Sequence, residues 1–494
     1  MVRLTVSEAG PARGERVPRR PVWLVPATIF VVCWALTTHG KYSVSGDEPH
    51  YLMVAQSLWA DGDLDLRNNY AAFQSQRFGA GELEPGPHVR ETRRGALFPV
   101  HDIGVPVLLL PVYVAATAAS ELTPPSVLLR FRMTQGLFAY SLLSLFIIGL
   151  TTAAAAITRS ALIAEGAPPG LASGVVLVMW LAPPILSNSF LVFPEPFALL
   201  TTAWAVRFAA RPRGDAPTVR HTLLFMTALG LLPWIHRKYA LYVALLLLAV
   251  WWRGRASAAR PAPLIRVPAL ACFVAPQIGL AIWTWYHWGT VGGPLMLDRA
   301  PFSAAALPVG ALGLLVDREN GLFVWAPIYL LLPATWWMAR RRDLVWLLPA
   351  AGLFLPSAAH DQWWGGFAPA ARFLVPMVPL FALVGVPALK DDLFRRASVA
   401  LLLPQILIAA YGWQYPRTLW PQGDGQNRVV GAIAPWLGST AGLLPSLRSP
   451  SPDLAQAMLA AAGIVVVNAV VWLAVATPRA RRSERRADRN APRT

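Results

Sequence analysis

The 494-residue chain is 55% hydrophobic and only 14% charged, against roughly 25% charged in soluble domains, which excludes a water-soluble globular protein. Its two cysteines, Cys33 and Cys272, both sit inside apolar runs, which excludes a disulfide framework and a cysteine zinc site. The formal charge of +17 is spread over short connections between apolar runs, a topology signal that excludes a nucleic-acid partner.

Residues 1–21 are polar and basic with no small-residue cleavage site behind them, so they read as a cytoplasmic N-terminus before a retained first span at 22–38. A first outer loop, 39–132, follows. It opens with GDEPHYLMVAQSLWADG, in which Asp47 or Glu48 caps a helix that Pro49 helps to start. His50, Tyr51, Met53, Val54, Leu58 and Trp59 then form a helix on the membrane surface, ending near Asp61-Gly62. The run DGDLDLRNN resembles the start of a calcium loop, but Leu66 stands where the loop needs glycine and Ala72 where it needs an acid, so it reads as a polar turn.

Next come His101-Asp102 and the apolar run 104–120. The two polar residues are either an exposed helix start or part of a cavity lining. The run is long enough to span, but Pro106 and Pro111 suit a broken or surface-lying helix. Counting it as a span would put the arginine-rich loops 210–220, 253–266 and 340–342 outside, so it reads as juxtamembrane. Spans are then expected at 22–38, 133–157, 170–191, 196–209, 221–235, 239–252, 267–286, 322–339, 344–359, 373–389, 398–412 and 456–477. The fold expected is an all-α polytopic membrane protein of about twelve transmembrane helices in a domain covering 22–477. Further outer loops lie at 287–321 and 413–455, and a disordered basic cytoplasmic tail at 478–494. In this topology the inner segments, with Arg207 at a span end, hold 27 Lys and Arg against 9 Asp and Glu, and the outer ones 16 against 17.

The outer turns carry ionisable residues at span ends: Glu195 in FPEPF, His236, Arg237 and Lys238 in WIHRKY, and His360, Asp361 and Arg372 in AHDQWWGGFAPAARF. Asp47, Glu48, His101 and Asp102 share that face. Charge at membrane depth is costly and turns toward a bundle interior or a polar cavity. Acids beside cations there suit an anionic phosphate ligand and a nucleophile that needs activation. Ordinary readings compete: the cations snorkel, the tryptophans belt the interface, and Asp317, Arg318 and Glu319 pair locally. No Walker A loop, dinucleotide fingerprint, HExxH or GxSxG elbow is present, which argues against a cytosolic nucleotide-sugar donor.

Together GDEPHY, HDIGVPVLLLP, FPEPF, GLFVWAPIYLLLP and WWGGFAPAARFLVPMVP, in this order across most of residues 20–412, resemble the bacterial GT-C glycosyltransferases, the membrane enzymes akin to protein mannosyltransferases and lipid A aminoarabinose transferases. The resemblance implies a GT-C-type bundle with periplasmic juxtamembrane helices in the first outer loop, sited in a bacterial inner membrane. It implies inverting transfer of a sugar from a polyprenyl-phosphate donor to a lipid, glycan or protein acceptor on the periplasmic face. By resemblance, Asp47 with Glu48 beside it is the catalytic base or an acceptor-orienting or metal ligand, so a divalent cation is a possible cofactor. Glu195 takes the second-acid position. Donor phosphate falls to Arg237, Lys238 or Arg372, while His101, Asp102, His236 and His360 line the cavity or acceptor side. The HDIG segment lacks the family's paired prolines, and the absence of a large soluble C-terminal domain counts against an oligosaccharyltransferase. A transporter or lipid flippase, a polyprenyl-diphosphate-dependent glycan polymerase or ligase, and a membrane scaffold are the alternative readings.

Overall fold

The computed structural model describes residues 23–39, 44–211, 217–255, 263–294, 302–435, 444–448 and 452–490. The N-terminal segment 1–21 lies outside them. Regular structure is overwhelmingly helical, and the chain is a polytopic helical membrane protein. Six helical stretches are long and apolar enough to cross a membrane: Gly104–Leu122, Gln135–Ala164, Arg266–Trp288, Arg372–Lys390, Asp392–Gln414 and Leu454–Val475. Shorter apolar helices, including Leu24–Thr37, Pro169–Trp180, Val219–Ile235 and Tyr239–Gly254, stand beside them. Large apolar side chains such as Ile278, Ile282, Leu403, Ile406, Val466 and Val470 point outward and exposed, a surface that only lipid would cover.

Two ends of the bundle are chemically distinct. At one, Arg253 reaches Asp343 at 2.8 Å and also binds Glu165, which Arg342 meets at 2.7 Å. These residues tie the end of the Gln135–Ala164 helix to that of Tyr239–Arg255. At the other end lie Asp47, Glu195, Lys238 and Arg372, and we call this the site end. Several expected spans are interrupted rather than continuous. The stretch 322–339 consists of Leu322–Trp325, a 3-10 turn Pro327–Leu331, and Leu332–Met338, because Pro327 and Pro333 remove ladder donors and clash with the preceding turn.

The Gly104–Leu122 helix has the length and composition of a span, yet both its ends lie at the site end. Its start packs on the carbonyl of Trp234, so closely that any Cβ on Gly104 would collide with it. Its other end shares a pocket, through Tyr113, Thr117, Ser120 and Glu121, with Gln135 and Gly136 at the start of the next long helix. It therefore lies across the end of the bundle. The Glu48–Ala60 helix lies there too and packs against it, with Tyr113 Oη donating to Gln56 Oε1 at 2.6 Å.

The sheet found among the described residues is one hairpin, β1 Val89–Glu91 and β2 Leu97–Pro99, paired antiparallel with Val89 opposite Pro99. The Asp317-Arg318-Glu319 turn is tied by backbone groups: Asp317 accepts from Glu319 N at 2.9 Å and from Leu447 N at 2.8 Å, Glu319 accepts from Gly423 N at 2.9 Å, and Arg318 Nε donates to Leu444 O at 2.9 Å. They stitch the described parts of the 413–455 loop to the bundle, where buried acids find backbone donors better than a local cation. The last helix is described through Asn490, so the basic segment from 478 begins as a continuation of the span.

Candidate active site

The acidic pair divides its two carboxylates between different tasks. Gly46 turns the chain at φ +55°, against the carbonyl of Phe367, leaving no room for a Cβ. From that turn Glu48 points inward and is fully buried. It accepts from Val192 N at 2.7 Å, Ser45 N at 2.8 Å and Tyr140 Oη at 2.9 Å. Burial pushes its carboxyl up to about 7 even against these donors. Asp47 occupies the N-cap position expected of Asp47 or Glu48, but its side chain makes no capping hydrogen bond. Its Oδ2 lies 3.3 Å from Arg372 Nη2 and its Oδ1 3.9 Å from His101 Nε2. Burial would raise its carboxyl, but His101, Arg372, His88 and His50 outweigh that and hold it down at about 2.

Arg372 follows Ala371, a residue held at φ +55°, a strained conformation that sets the arginine's approach. It runs past the Phe193 ring, 4.8 Å from the centroid, to Asp47. Its Nε stands 3.9 Å from Glu195 Oε1, and Lys238 Nζ binds the same oxygen at 2.6 Å. Lys238 also sits 4.4 Å above the Phe373 ring. Burial pulls the Lys238 ammonium down and Glu195 partly restores it. The order Asp47, Arg372, Glu195, Lys238 thus forms one chain of alternating charge from four separate segments. Beside it, Glu195 Oε2 and Tyr239 Oη are buried with no hydrogen-bond partner among the described residues.

The remaining expected residues divide. Asp102 and Arg237 are committed to each other: Arg237 N reaches Oδ2 at 2.7 Å, Nε reaches Oδ1 at 2.9 Å, and Nη2 closes the fork. Arg237 Nη1 further donates to Gly292 O at 2.7 Å. That pairing fixes the Trp234–Lys238 turn against the hairpin and occupies the guanidinium expected to hold phosphate. His236 is internal to its turn, accepting from Lys238 N at 3.2 Å, and burial lowers its pKa well below the usual range. His360 accepts from Gln362 N at 2.9 Å and its backbone bridges to Phe302, apart from the charged chain.

One group escaped the sequence reading. His88 Nδ1 lies 3.1 Å from His101 Nε2, and the His88 ring stacks on His50 at 3.7 Å. His50 Nδ1 is in turn 2.6 Å from Tyr70 Oη. Asp47, His88 and His101 bring one ligand-type atom each within 4.8 Å of one another. The available signal was the run HVRETRRGALFPVH, two short alternating segments about a glycine turn with a histidine just outside each.

No family model matches the chain, and no curated protein matches it. A solved structure, ArnT from Cupriavidus metallidurans bound to undecaprenyl phosphate, is similar at a TM-score of 0.44 and 14% identity, covering 92% of this chain and 71% of that one.

Proposed function

We propose that this protein is a GT-C-type membrane glycosyltransferase, moving a sugar from a polyprenyl-phosphate donor to a lipid, glycan or protein acceptor on the periplasmic side of a bacterial inner membrane, with inversion. The observation that carries the reading is the Asp47–Arg372–Glu195–Lys238 chain: an ionised, partly accessible carboxylate beside two buried cations, with unpartnered polar atoms next to them. A site already satisfied internally has no need of such atoms, whereas one built for a polar ligand does.

Asp47 takes the proton from an acceptor hydroxyl. The acceptor oxygen bonds to the anomeric carbon as the bond from that carbon to the phosphate oxygen breaks, and polyprenyl phosphate departs. Arg372 and Lys238 stabilise the charge that grows on it. Glu195 keeps both cations protonated and aimed. Glu48 and Arg237 are positioning residues, the first holding the Asp47 turn and the second holding Asp102. The Arg372–Met377 turn also helps wall an apolar cavity of 350 Å³ lined by Leu374, Met377, Phe381, Trp336, Phe354 and Ile464, suited to the donor's isoprenoid chain.

The test is release of polyprenyl phosphate from a panel of polyprenyl-phosphate sugars by protein in nanodiscs. Release by wild type, lost in a folded Asp47→Asn variant, supports the reading. Full release by Asp47→Asn removes the base assignment, and no release from any donor removes the function.

A further inference from the structure

We infer that Asp47, His88 and His101 form a three-ligand site for a divalent transition-metal cation of the zinc class, a reading that deepens the proposed transferase chemistry and rests on it for its catalytic meaning. Their three ligand-type atoms lie within 4.8 Å of one another. Zinc bound by imidazole nitrogen at about 2.0–2.1 Å in a tetrahedron requires ligand atoms roughly 3.3 Å apart. His88 Nδ1 and His101 Nε2 are 3.1 Å apart, and Asp47 Oδ1 stands 3.9 Å from His101 Nε2.

The hairpin found among the described residues produces this separation. Val100 N donates to His88 O at 2.9 Å, continuing the β1–β2 ladder by one rung, so two histidines thirteen positions apart leave the hairpin side by side. The hairpin is anchored in turn: Leu66 N donates to Leu97 O at 2.9 Å, and Leu97 N to Asp65 Oδ1 at 3.1 Å. Asp102, next to His101, is clamped by Arg237. His50 stacks flat on His88 and is itself held by Tyr70, which fixes the plane of the His88 ring. Asp47 uses its oxygens separately, Oδ1 toward the histidines and Oδ2 toward Arg372.

Three protein ligands leave a fourth position open, as in catalytic zinc sites. A cation held by Asp47, His88 and His101 would withdraw electron density from an acceptor hydroxyl and raise its acidity, and Asp47 Oδ2 is the oxygen left to take the proton as the hydroxyl oxygen bonds to the anomeric carbon and the bond to the phosphate oxygen breaks. The charge balance agrees: Asp47, Glu195, Arg372 and Lys238 sum to zero, so a divalent cation supplies the positive charge that a dianionic leaving group needs.

The experiment uses full-length protein in detergent, stripped with chelator and titrated with Zn2+ against a chromophoric chelator, and with Co2+ read by its visible absorption. One equivalent is expected to bind. His88→Gln and His101→Gln should each weaken binding by roughly a hundredfold, since losing a ligand costs at least what losing its outer partner does. His221→Gln, at the opposite end of the bundle, should bind as wild type. Wild type binding no stoichiometric metal overturns the inference, as does His88→Gln binding at full affinity with an unchanged melting curve. If one histidine variant does not fold, the other decides. Metal binding is measured without donor, so it fails or succeeds independently of polyprenyl-phosphate release. If the chelated protein releases polyprenyl phosphate at the full rate, the metal has no part in transfer.

Discussion

Changing Glu48 separates a structural acid from a catalytic one. In Glu48→Gln the side chain keeps its shape but exchanges an acceptor for a donor. With the amide oxygen retained toward Val192 N and Tyr140 Oη, the new NH2 group faces Ser45 N, which had donated at 2.8 Å. One hydrogen bond is lost and two donors oppose each other in a buried place, a cost of about 1–3 kcal/mol. Glu48→Ala strands the Val192 and Ser45 amides, and two such groups at about 1–3 kcal/mol each cost about 2–6 kcal/mol. The assay is thermal unfolding in detergent by intrinsic tryptophan fluorescence, run beside transfer activity at a temperature where each variant is folded. The expected order of stability is wild type, then Gln, then Ala, with the Gln variant retaining substantial activity. A Gln variant that melts as wild type does and yet has no activity would refute the reasoning, because Glu48 would then be acting on substrate and not on the Asp47 turn.

Arg372→Gln should lower kcat/KM by roughly 10–100-fold, the worth of a charge-assisted contact of about 1.5–3 kcal/mol, with Arg372→Lys recovering part of it; equal losses in both variants would mean that geometry and not charge is required. Lys238→Met leaves the fully buried Glu195 beside one cation fewer and should destabilise by about 3–5 kcal/mol, while Lys238→Met with Glu195→Gln should regain the melting temperature without regaining activity. Asp102→Asn breaks the fork to a partly exposed Arg237, so a smaller loss of about 1–3 kcal/mol is expected, with a fall in transfer rate as the hairpin loosens; a rate equal to wild type would show that the clamp is not needed for positioning. Arg253→Met leaves Glu165 and Asp343 close together at the far end and should lower the melting temperature while KM for donor stays constant.

The broad architecture was legible because membrane helices announce themselves by apolar length and the loops by charge. The surface-lying character of 104–122 was readable from Pro106 and Pro111 taken with the arginine loops, although the helix has the composition of a span. The roles within the site were less legible. GDEPHY shows two acids side by side, but only the fold shows that Glu48 faces Val192, 144 positions away, while Asp47 faces Arg372, 325 positions away. WIHRKY likewise shows three adjacent candidate cations, of which Arg237 is taken by Asp102 and Lys238 by Glu195. His88 was invisible because its meaning depends on a strand register, and two three-residue strands carry too little alternation to reveal one.

The flat lie of the Gly104–Leu122 helix also governs where a tag can go. The first helix, Leu24–His39, runs toward Asp47, and the last, Leu454–Asn490, begins beside Ser446 near the stitched loop and runs away from it. Both helices therefore point their far ends, Leu24 and Asn490, away from the Asp47 cluster. A fluorescent protein and a secreted phosphatase fused in turn at either end would give the same pair of signals, one lit and one dark. Leu24 and Asn490, the outermost described residues of these two helices, both lie away from Asp47, so the approach to the proposed site is bordered by the Gly104–Leu122 helix and not by either of these helix ends.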